Sequence, residues 1–379
     1  MLLPLAIRRA LFQSVAFQPR EDWTGLVQEK PLVTVITPVY NGAAFLHECI
    51  QSVLAQSFEN FEYLIVDNCS TDESLRIAEK AAATDSRISV IQCDEHVGPI
   101  QNWNRSLKHA DRKSSYVKFV HADDWIFPDC LARMVEVAES DDDVGLVSAY
   151  RLEEDRVSLD QLPSNAPLYP ATDTFKMNGQ QVACAILRDK ASVLGSPTSI
   201  LIRSTLAQSG RPFFSEDCLH ADKEACIRVL QHCDFGFVRQ VLTFTRRHNE
   251  SVTQLTSLLD TRRQENLLLL EQYGPALLTD PDFRSAKSKE LRSYYDFLAR
   301  KAGTGIGREF WNSHRKILRA AGSPFSRSSL VYAILRRWMN PMGALKDYIQ
   351  DRSHRDRKVE AKTIRFLDAS RKQSRNDDA

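Results

Sequence analysis

Between residues 33 and 149, short β-branched runs alternate with segments whose apolar residues recur at helical spacing, and this alternation admits few architectures. VTVIT at 33–37 leads into the turn PVYNG, after which Phe45, Leu46, Cys49, Ile50, Val53 and Leu54 share one helical face. FEYLIV at 61–66 predicts a second strand, with a helix from Asp72 to about Ala83. ISVIQ at 88–92, a helix near 100–109 and YVKFV at 116–120 continue the rhythm. A helix from Pro128 and a strand at 144–149 close it. The expected fold class is α/β: a Rossmann-like, doubly wound, mostly parallel sheet covered on both faces. Ligands of such sheets lie beyond the carboxyl ends of the strands, so the polar residues just after each strand are the candidates for function.

Further along, 151–175 reads as a loop, followed by a helix at 180–190, a strand at 198–203, a helix at 222–232 and two short strands within 235–247. Beyond Leu255 the pattern is helical, with Gly and Pro breaks around 302–307, 323–324 and 341–343. The expected domains are an N-terminal segment 1–30, an α/β domain 31–254, a helical basic region 255–365 and a disordered tail 366–379.

The chain of 379 residues, 43% hydrophobic and 26% charged, has the composition of a globular protein and excludes collagen-like and disulfide-scaffold chains. No apolar run approaches the roughly 20 residues of a spanning helix. Eight scattered cysteines without a CxxC pair read as thiols of a reducing compartment, so the expected location is cytoplasmic. Arg8 and Arg9 follow the apolar residues at the N-terminus, the reverse of a signal peptide. Net charge is +1, yet residues 301–379 hold 18 Lys and Arg against 8 Asp and Glu, +10, which leaves −9 on the rest. That basic region interleaves Arg308, Arg315, Lys316, Arg319, Arg327, Arg336 and Arg337 with Phe310, Trp311, Leu330, Tyr332, Leu335 and Trp338. Two readings stay open: helices packing in an ordinary fold or dimer, and peripheral contact with an anionic membrane surface at the inner face of the cell membrane. Nucleic acid is not an expected partner, because no recognition motif accompanies the charge.

After the first strand, Pro38 fixes the backbone and Asn41-Gly42 supplies a tight turn. After the second, Asp67 stands where its carboxylate can accept an N–H from a planar ligand such as a pyrimidine, while Ser70, Thr71 and Asp72 suit a helix start. After the fourth comes HADDW, whose adjacent carboxylates Asp123 and Asp124 are costly at a sheet mouth unless paired. A divalent cation bridging them to a diphosphate removes that cost, and hard oxygen ligands suit Mn2+ or Mg2+. A capping acidic turn before Pro128 explains one of the two Asp and leaves the other.

The ordered series VTVITPVYNG, FEYLIVDNCSTDES, EHVGPIQNWNRSL and SSYVKFVHADDWIFPDCL, with further stretches at 195–203 and 213–252, resembles a family 2 glycosyltransferase of the GT-A fold. The resemblance covers about 33–252 and makes 31–254 the catalytic domain. It implies that Pro38, Tyr40 and Asn41 frame a nucleotide and that Asp67 meets its base. HADD corresponds to the family's DxD motif with His121 at the first Asp, Asp123 as metal ligand and Asp124 as its supporting neighbour. Asn-Trp-Asn at 102–104 stands where many members carry Ala-Arg-Asn, which implies Asn102 as a nucleotide contact and Trp103 as a packing residue. FFSEDCLHADKEACIRVL resembles the segment with the catalytic base, which falls on Asp222; Glu216 and Asp217 are the neighbouring alternatives. TRRHNESVT resembles the Arg-x-His segment, so His248 would complete the metal site or touch the diphosphate, with Arg246 and Arg247 neutralising phosphate charge.

Together these imply a metal-dependent inverting transfer from a nucleotide-sugar donor, expected to be a UDP-sugar, to a glycan or lipid-linked acceptor. A second reading is a nucleotide- or glycan-binding protein that retains the fold without turnover.

Overall fold

A computed structural model describes residues 32–110, 113–153, 156–158, 173–189, 193–208, 212–218, 220–246, 261–304 and 307–339. The chain divides into two compact units, residues 1–246 and 247–379. His248, Arg247 and the segments 1–30 and 366–379 lie outside the described residues.

The first unit is built on one ten-stranded sheet, its main path ordered β3-β2-β1-β4-β9-β6-β10-β5. Strand β1 is Val33–Val39, and all seven of its residues are buried, as a strand covered on both faces requires. It pairs in parallel with β2 (Phe61–Asp67) on one side and with β4 (Tyr116–Phe119) on the other. Strand β3 (Ile88–Gln92) extends the parallel set beyond β2. The chain thus winds outward from β1 to β3 and then reverses to β4, and the crevice between the carboxyl ends of β1 and β4 is the topological switch point.

The helices behind these strands follow from apolar spacing. Helix α1 (Ala43–Leu54) buries Leu46, Cys49, Ile50 and Val53, three and four residues apart, against the sheet. Helix α2 (Ser74–Ala82) buries Ala78 by the same rule, and α3 (Pro99–Lys108) starts at a proline, whose missing N–H costs a first turn nothing. After the two-residue strand β5 (Trp125–Ile126), helix α4 (Cys130–Ala138) starts two residues past the expected Pro128 and buries seven of nine residues.

Strand β6 continues past the expected end at 149, spanning Val144–Glu153, and turns back into β7 (Arg156–Ser158). Strand β8 (Thr174–Met177) lies antiparallel to β10, so the stretch expected as a loop at 151–175 holds three strand segments. Helix α5 (Gly179–Asp189) and a short 3-10 turn (Pro197–Ser199) precede β9 (Ile200–Arg203), which runs antiparallel between β4 and β6. Helices α6 (Ser204–Ala207) and α7 (Ala221–Val229) follow. The two short strands expected within 235–247 are one strand, β10 (Asp234–Thr245), parallel to β6 with irregular register near Val238–Val241. A bulge of that kind interrupts period-two alternation, so one strand looks like two in sequence.

The second unit packs α8 (Thr261–Leu277), α9 (Asp280–Lys301), α10 (Arg308–Ala320) and α11 (Arg327–Trp338). Its core gathers Leu267, Tyr294, Phe297, Leu298, Phe310, Leu318 and Ala333. His314 is buried at its centre, sharing a 2.7 Å hydrogen bond with the Tyr294 hydroxyl and stacking near Phe310. Burial lowers its pKa to about 4, whereas an unfolded chain titrates near 6.5. Between those values the unfolded chain binds more protons, so stability is full above about pH 6.5 and falls as pH drops toward 4. The expected loss for this unit is about 3 kcal/mol, since each pKa unit corresponds to about 1.4 kcal/mol. Hydrogen exchange in residues 294–318 across that range measures it, and His314→Gln, which cannot protonate, is expected to flatten the slope.

Candidate active site at the carboxyl ends of the parallel strands

Two strand-to-helix turns are stitched side by side at the ends of β1 and β2. Asn41 sits in the left-handed region at φ 51°, a conformation that Asn tolerates better than most residues. Its Oδ1 accepts the Thr71 N–H at 2.8 Å, and its own N–H donates to Ser70 Oγ at 3.0 Å. Asp72 accepts N–H groups of Ala43 and Ser74, both at 3.0 Å, at the starts of α1 and α2. Two helix N-termini on one carboxylate favour its anion, and those hydrogen bonds hold the Asp72 pKa below the usual range against a partial burial that pushes the other way. The Ser70-Thr71-Asp72 run is thus a tie between turns.

Pro38 is buried within β1, while Tyr40 is 48% exposed, its ring 4.3 Å from that of His96. Asp67 is buried at the end of β2: Oδ2 accepts the Ser70 N–H at 3.0 Å, and Oδ1 has no partner among the described residues. A buried acceptor left open is expensive, and it points to a donor that arrives with a ligand. Beside it Asn68 exchanges two hydrogen bonds with Val97, Nδ2 to the carbonyl at 2.8 Å and the N–H to Oδ1 at 3.0 Å. Arg105 then links Asn68 Oδ1 to Asn102 Oδ1. Asn102 is buried on α3, and its Oδ1 accepts from that guanidinium.

The turn after β4 holds a polar cluster. Asp124 is buried, and both of its oxygens are used: Oδ2 accepts from Thr198 Oγ1 at 2.6 Å and Oδ1 from the Arg246 N–H at 2.9 Å. Burial, reinforced by the charge of Asp123, drives its pKa upward. Thr198 Oγ1 also accepts the His121 N–H at 3.2 Å, and its carbonyl receives the ammonium of the fully buried Lys118. Arg246 closes the cluster, donating from Nε to the Asp123 carbonyl at 3.0 Å and from Nη2 to Glu48 at 2.7 Å while its plane lies over Phe45. Its guanidinium thereby clamps the acidic turn to α1.

His121, Asp123 and Asp124 each offer a donor atom, and these atoms lie within 4.8 Å of one another. His121 Nε2 is buried without a partner among the described residues. An imidazole with carboxylates is a competent donor set for a divalent cation, and the open nitrogen fits such a guest. Burial lowers the His121 pKa, opposed by the charges of Asp123 and Asp222. Asp222, in the first turn of α7, is therefore within electrostatic reach of the same histidine. Of its neighbours, Glu216 accepts from Asn104 Nδ2 at 3.3 Å and Gln101 at 3.2 Å, and Asn104 clips Phe214 through two backbone hydrogen bonds. Glu216 is thereby tied to α3. Trp103 packs between His121 and Phe214, with ring centroids 4.9 and 5.2 Å away.

Sequence reasoning singled out the carboxylates and missed Thr198, Lys118, Glu48 and the open ring nitrogen of His121. The family pattern draws attention away from His121, and the others act through contacts 74 to 198 residues apart in sequence. Only the histidine inside HADD gave a local signal.

The architecture is the GT-A fold, and residues 34–204 match the family model described as glycosyl transferase family 2. An uncharacterized protein of Mycobacterium tuberculosis is 27% identical over 66% of this chain and 77% of its own length. The putative teichuronic acid biosynthesis glycosyltransferase TuaG of Bacillus subtilis is 38% identical over 28% of this chain, a match that spans 42% of TuaG. Among solved structures, S. aureus TarS 1-349 in complex with UDP-GlcNAc superposes with a TM-score of 0.56 at 19% identity, covering 84% of this chain and 92% of that one. Residues 34–204 thus carry a glycosyl transferase family 2 domain, and by class the protein is a glycosyltransferase.

Thr198→Val keeps shape and removes one of the two hydrogen bonds on buried Asp124. Bonds to such groups contribute about 1.5–3 kcal/mol, so chemical denaturation is expected to show a loss of about 2 kcal/mol.

Proposed function

We propose that the chain is a metal-dependent, inverting glycosyltransferase that moves a sugar from a UDP-sugar to a hydroxyl of a glycan or lipid-linked acceptor, in polysaccharide or glycoconjugate synthesis. The observation that carries this reading is the pair of buried atoms left open at the carboxyl ends of β2 and β4, Asp67 Oδ1 and His121 Nε2, the second grouped with Asp123 and Asp124. The UDP-GlcNAc of the TarS complex and the teichuronic acid biosynthesis named for TuaG support this reading of donor and acceptor.

In this reading Asp67 Oδ1 accepts the N–H of the base, Pro38, Tyr40 and Asn41 frame the nucleotide, and Asn102 holds Arg105 at its border. Asp123 and His121 hold the cation, with His248 as a further ligand or diphosphate contact, and Asp124 fixes the turn that carries them. The mixed imidazole and carboxylate set favours Mn2+ over Mg2+. When bound, the ion offsets negative charge on the departing nucleoside diphosphate. Asp222 takes the proton of the acceptor hydroxyl as that oxygen bonds to the anomeric carbon. The bond from this carbon to the diphosphate oxygen breaks in the same displacement, which inverts the centre and requires no covalent sugar–enzyme intermediate.

Thermal unfolding with UDP, GDP, dTDP, CDP and ADP, each with manganese or with EDTA, tests donor and metal together. UDP with manganese is expected to raise the midpoint, since a ligand at 100 times its Kd adds about 2.7 kcal/mol. A well-folded protein indifferent to the whole panel would instead support the binding fold without turnover. Asp222→Asn is expected to lower kcat by about 10²–10⁴ with the UDP shift intact, the range for losing a general base. Near-normal turnover in that variant would move the base elsewhere.

A further inference from the structure

The basic helices of the second unit divide into residues that pack and residues that do not. Phe310 is buried, and Trp311 and Leu330 lean on the core, so these aromatic and apolar side chains have their partners. Helix α11 differs. Its inner side is held by buried Ala333 with Leu330 and Ile334, while Val331, Tyr332, Leu335, Trp338 and Met339 stay exposed, Trp338 to 80% and Met339 to 75%.

The five exposed residues fall at i, i+1, i+4, i+7 and i+8. At about 100° per residue they form one stripe covering about 120° of the helix. Arg327 borders this stripe on one edge and Arg336 on the other. Arg336 is anchored by an ion pair with Asp296, which fixes its stem beside the stripe. Residues 307–339 carry seven Lys and Arg against Glu309 alone. Arg308, Arg315, Lys316 and Arg319 on α10 are exposed. No described helix is long and apolar enough to cross a membrane.

We propose that α11 lies in the interface of an anionic lipid bilayer, with Val331, Leu335, Trp338 and Met339 in the headgroup–acyl boundary and the flanking arginines on lipid phosphates. The charge selects this occupant. A second copy of the chain would bring the same arginines face to face, whereas an acidic lipid surface complements them. Aromatic and apolar groups on one side of a short helix, with basic residues at its edges, is the pattern of helices that rest in the plane of a membrane. Trp and Tyr suit that depth because each has an apolar body and a polar handle. Such contact would hold the enzyme where a lipid-linked acceptor lies, yet it stands on the helix alone and needs no sugar transfer.

Flotation of the full-length protein with two vesicle types tests it: phosphatidylcholine alone, and phosphatidylcholine with phosphatidylglycerol. The wild type is expected to float with the anionic vesicles only, and to sink as salt is raised because the attraction is screened. Leu335→Glu with Trp338→Glu is expected to weaken binding at least about tenfold, while Leu335→Met with Trp338→Phe retains it. These positions are exposed, and circular dichroism checks that each variant is folded. Flotation of neither mixture, equal flotation of both, or undiminished flotation of the Glu variant would each overturn the proposal. So would a wild-type dimer, seen by gel filtration, that the Glu variant splits. Because no turnover is measured, a failed sugar-transfer reading leaves these outcomes intact.

Discussion

The carboxylate of Asp124 is the interaction on which the site depends. A buried carboxyl group left alone would lower the stability of any sheet by several kcal/mol. Here its two oxygens receive one hydrogen bond from the turn before β9 and one from the end of β10. Three segments distant in sequence are thereby fixed at a common point: the HADD turn after β4, Thr198, and Arg246. Arg246 then reaches Glu48 on α1, so the acidic turn is also bound to the helix that follows β1. Remove the carboxylate and each of these segments loses a partner at once. The raised pKa of Asp124 is a sign of the same constraint, since burial and the neighbouring Asp123 both oppose its charge.

Saturation of Asp124 has a chemical consequence. A group with both oxygens engaged supports and does not recruit, so the open capacity of the turn resides in its neighbours, of which His121 presents a buried nitrogen with no partner among the described residues. Asp67 shows the same division within one side chain, Oδ2 closed on the Ser70 N–H and Oδ1 open. Buried polar atoms without partners are disfavoured in folded proteins and concentrate where function tolerates the cost. Two of them stand at the carboxyl ends of β2 and β4, on either side of β1, where the reversal of strand order leaves a crevice.

Much of this was legible in sequence, for a physical reason. Parallel strands buried on both faces must be apolar throughout, and the helices between them must carry apolar residues every three or four positions, so VTVIT, FEYLIV and the segment 43–55 declare themselves locally. The residues just after them are polar because they line a crevice. What stayed hidden was long-range. Strand β7 exists by pairing with β6, and β8 by pairing with β10, and neither has a pattern of its own. Thr198 looks like part of an ordinary turn until it is seen between His121 and Asp124. The guanidinium of Arg246, for which the family resemblance implied only a phosphate, also has partners 123 and 198 residues away. A side chain's charge can be read from sequence; whether another residue has already used it cannot.

The same distinction governs the helical unit. Composition alone treated Phe310, Trp311, Leu330, Leu335 and Trp338 as one aromatic and aliphatic set interleaved with arginine. Folding separates them, because a four-helix core has room for only one face of each helix. His314 at the centre of that core shows how completely the inner face is closed, its imidazole held neutral by burial and hydrogen-bonded to Tyr294. Helix α11 contributes Ala333 inward, a residue too small to draw the large side chains beside it into the core. The bulky residues on the other side of that helix are excluded from the core by geometry and not by chemistry. A surface stripe of Val331, Leu335, Trp338 and Met339 is therefore a consequence of how the four helices meet, and any partner that covers it must accept arginine at both edges.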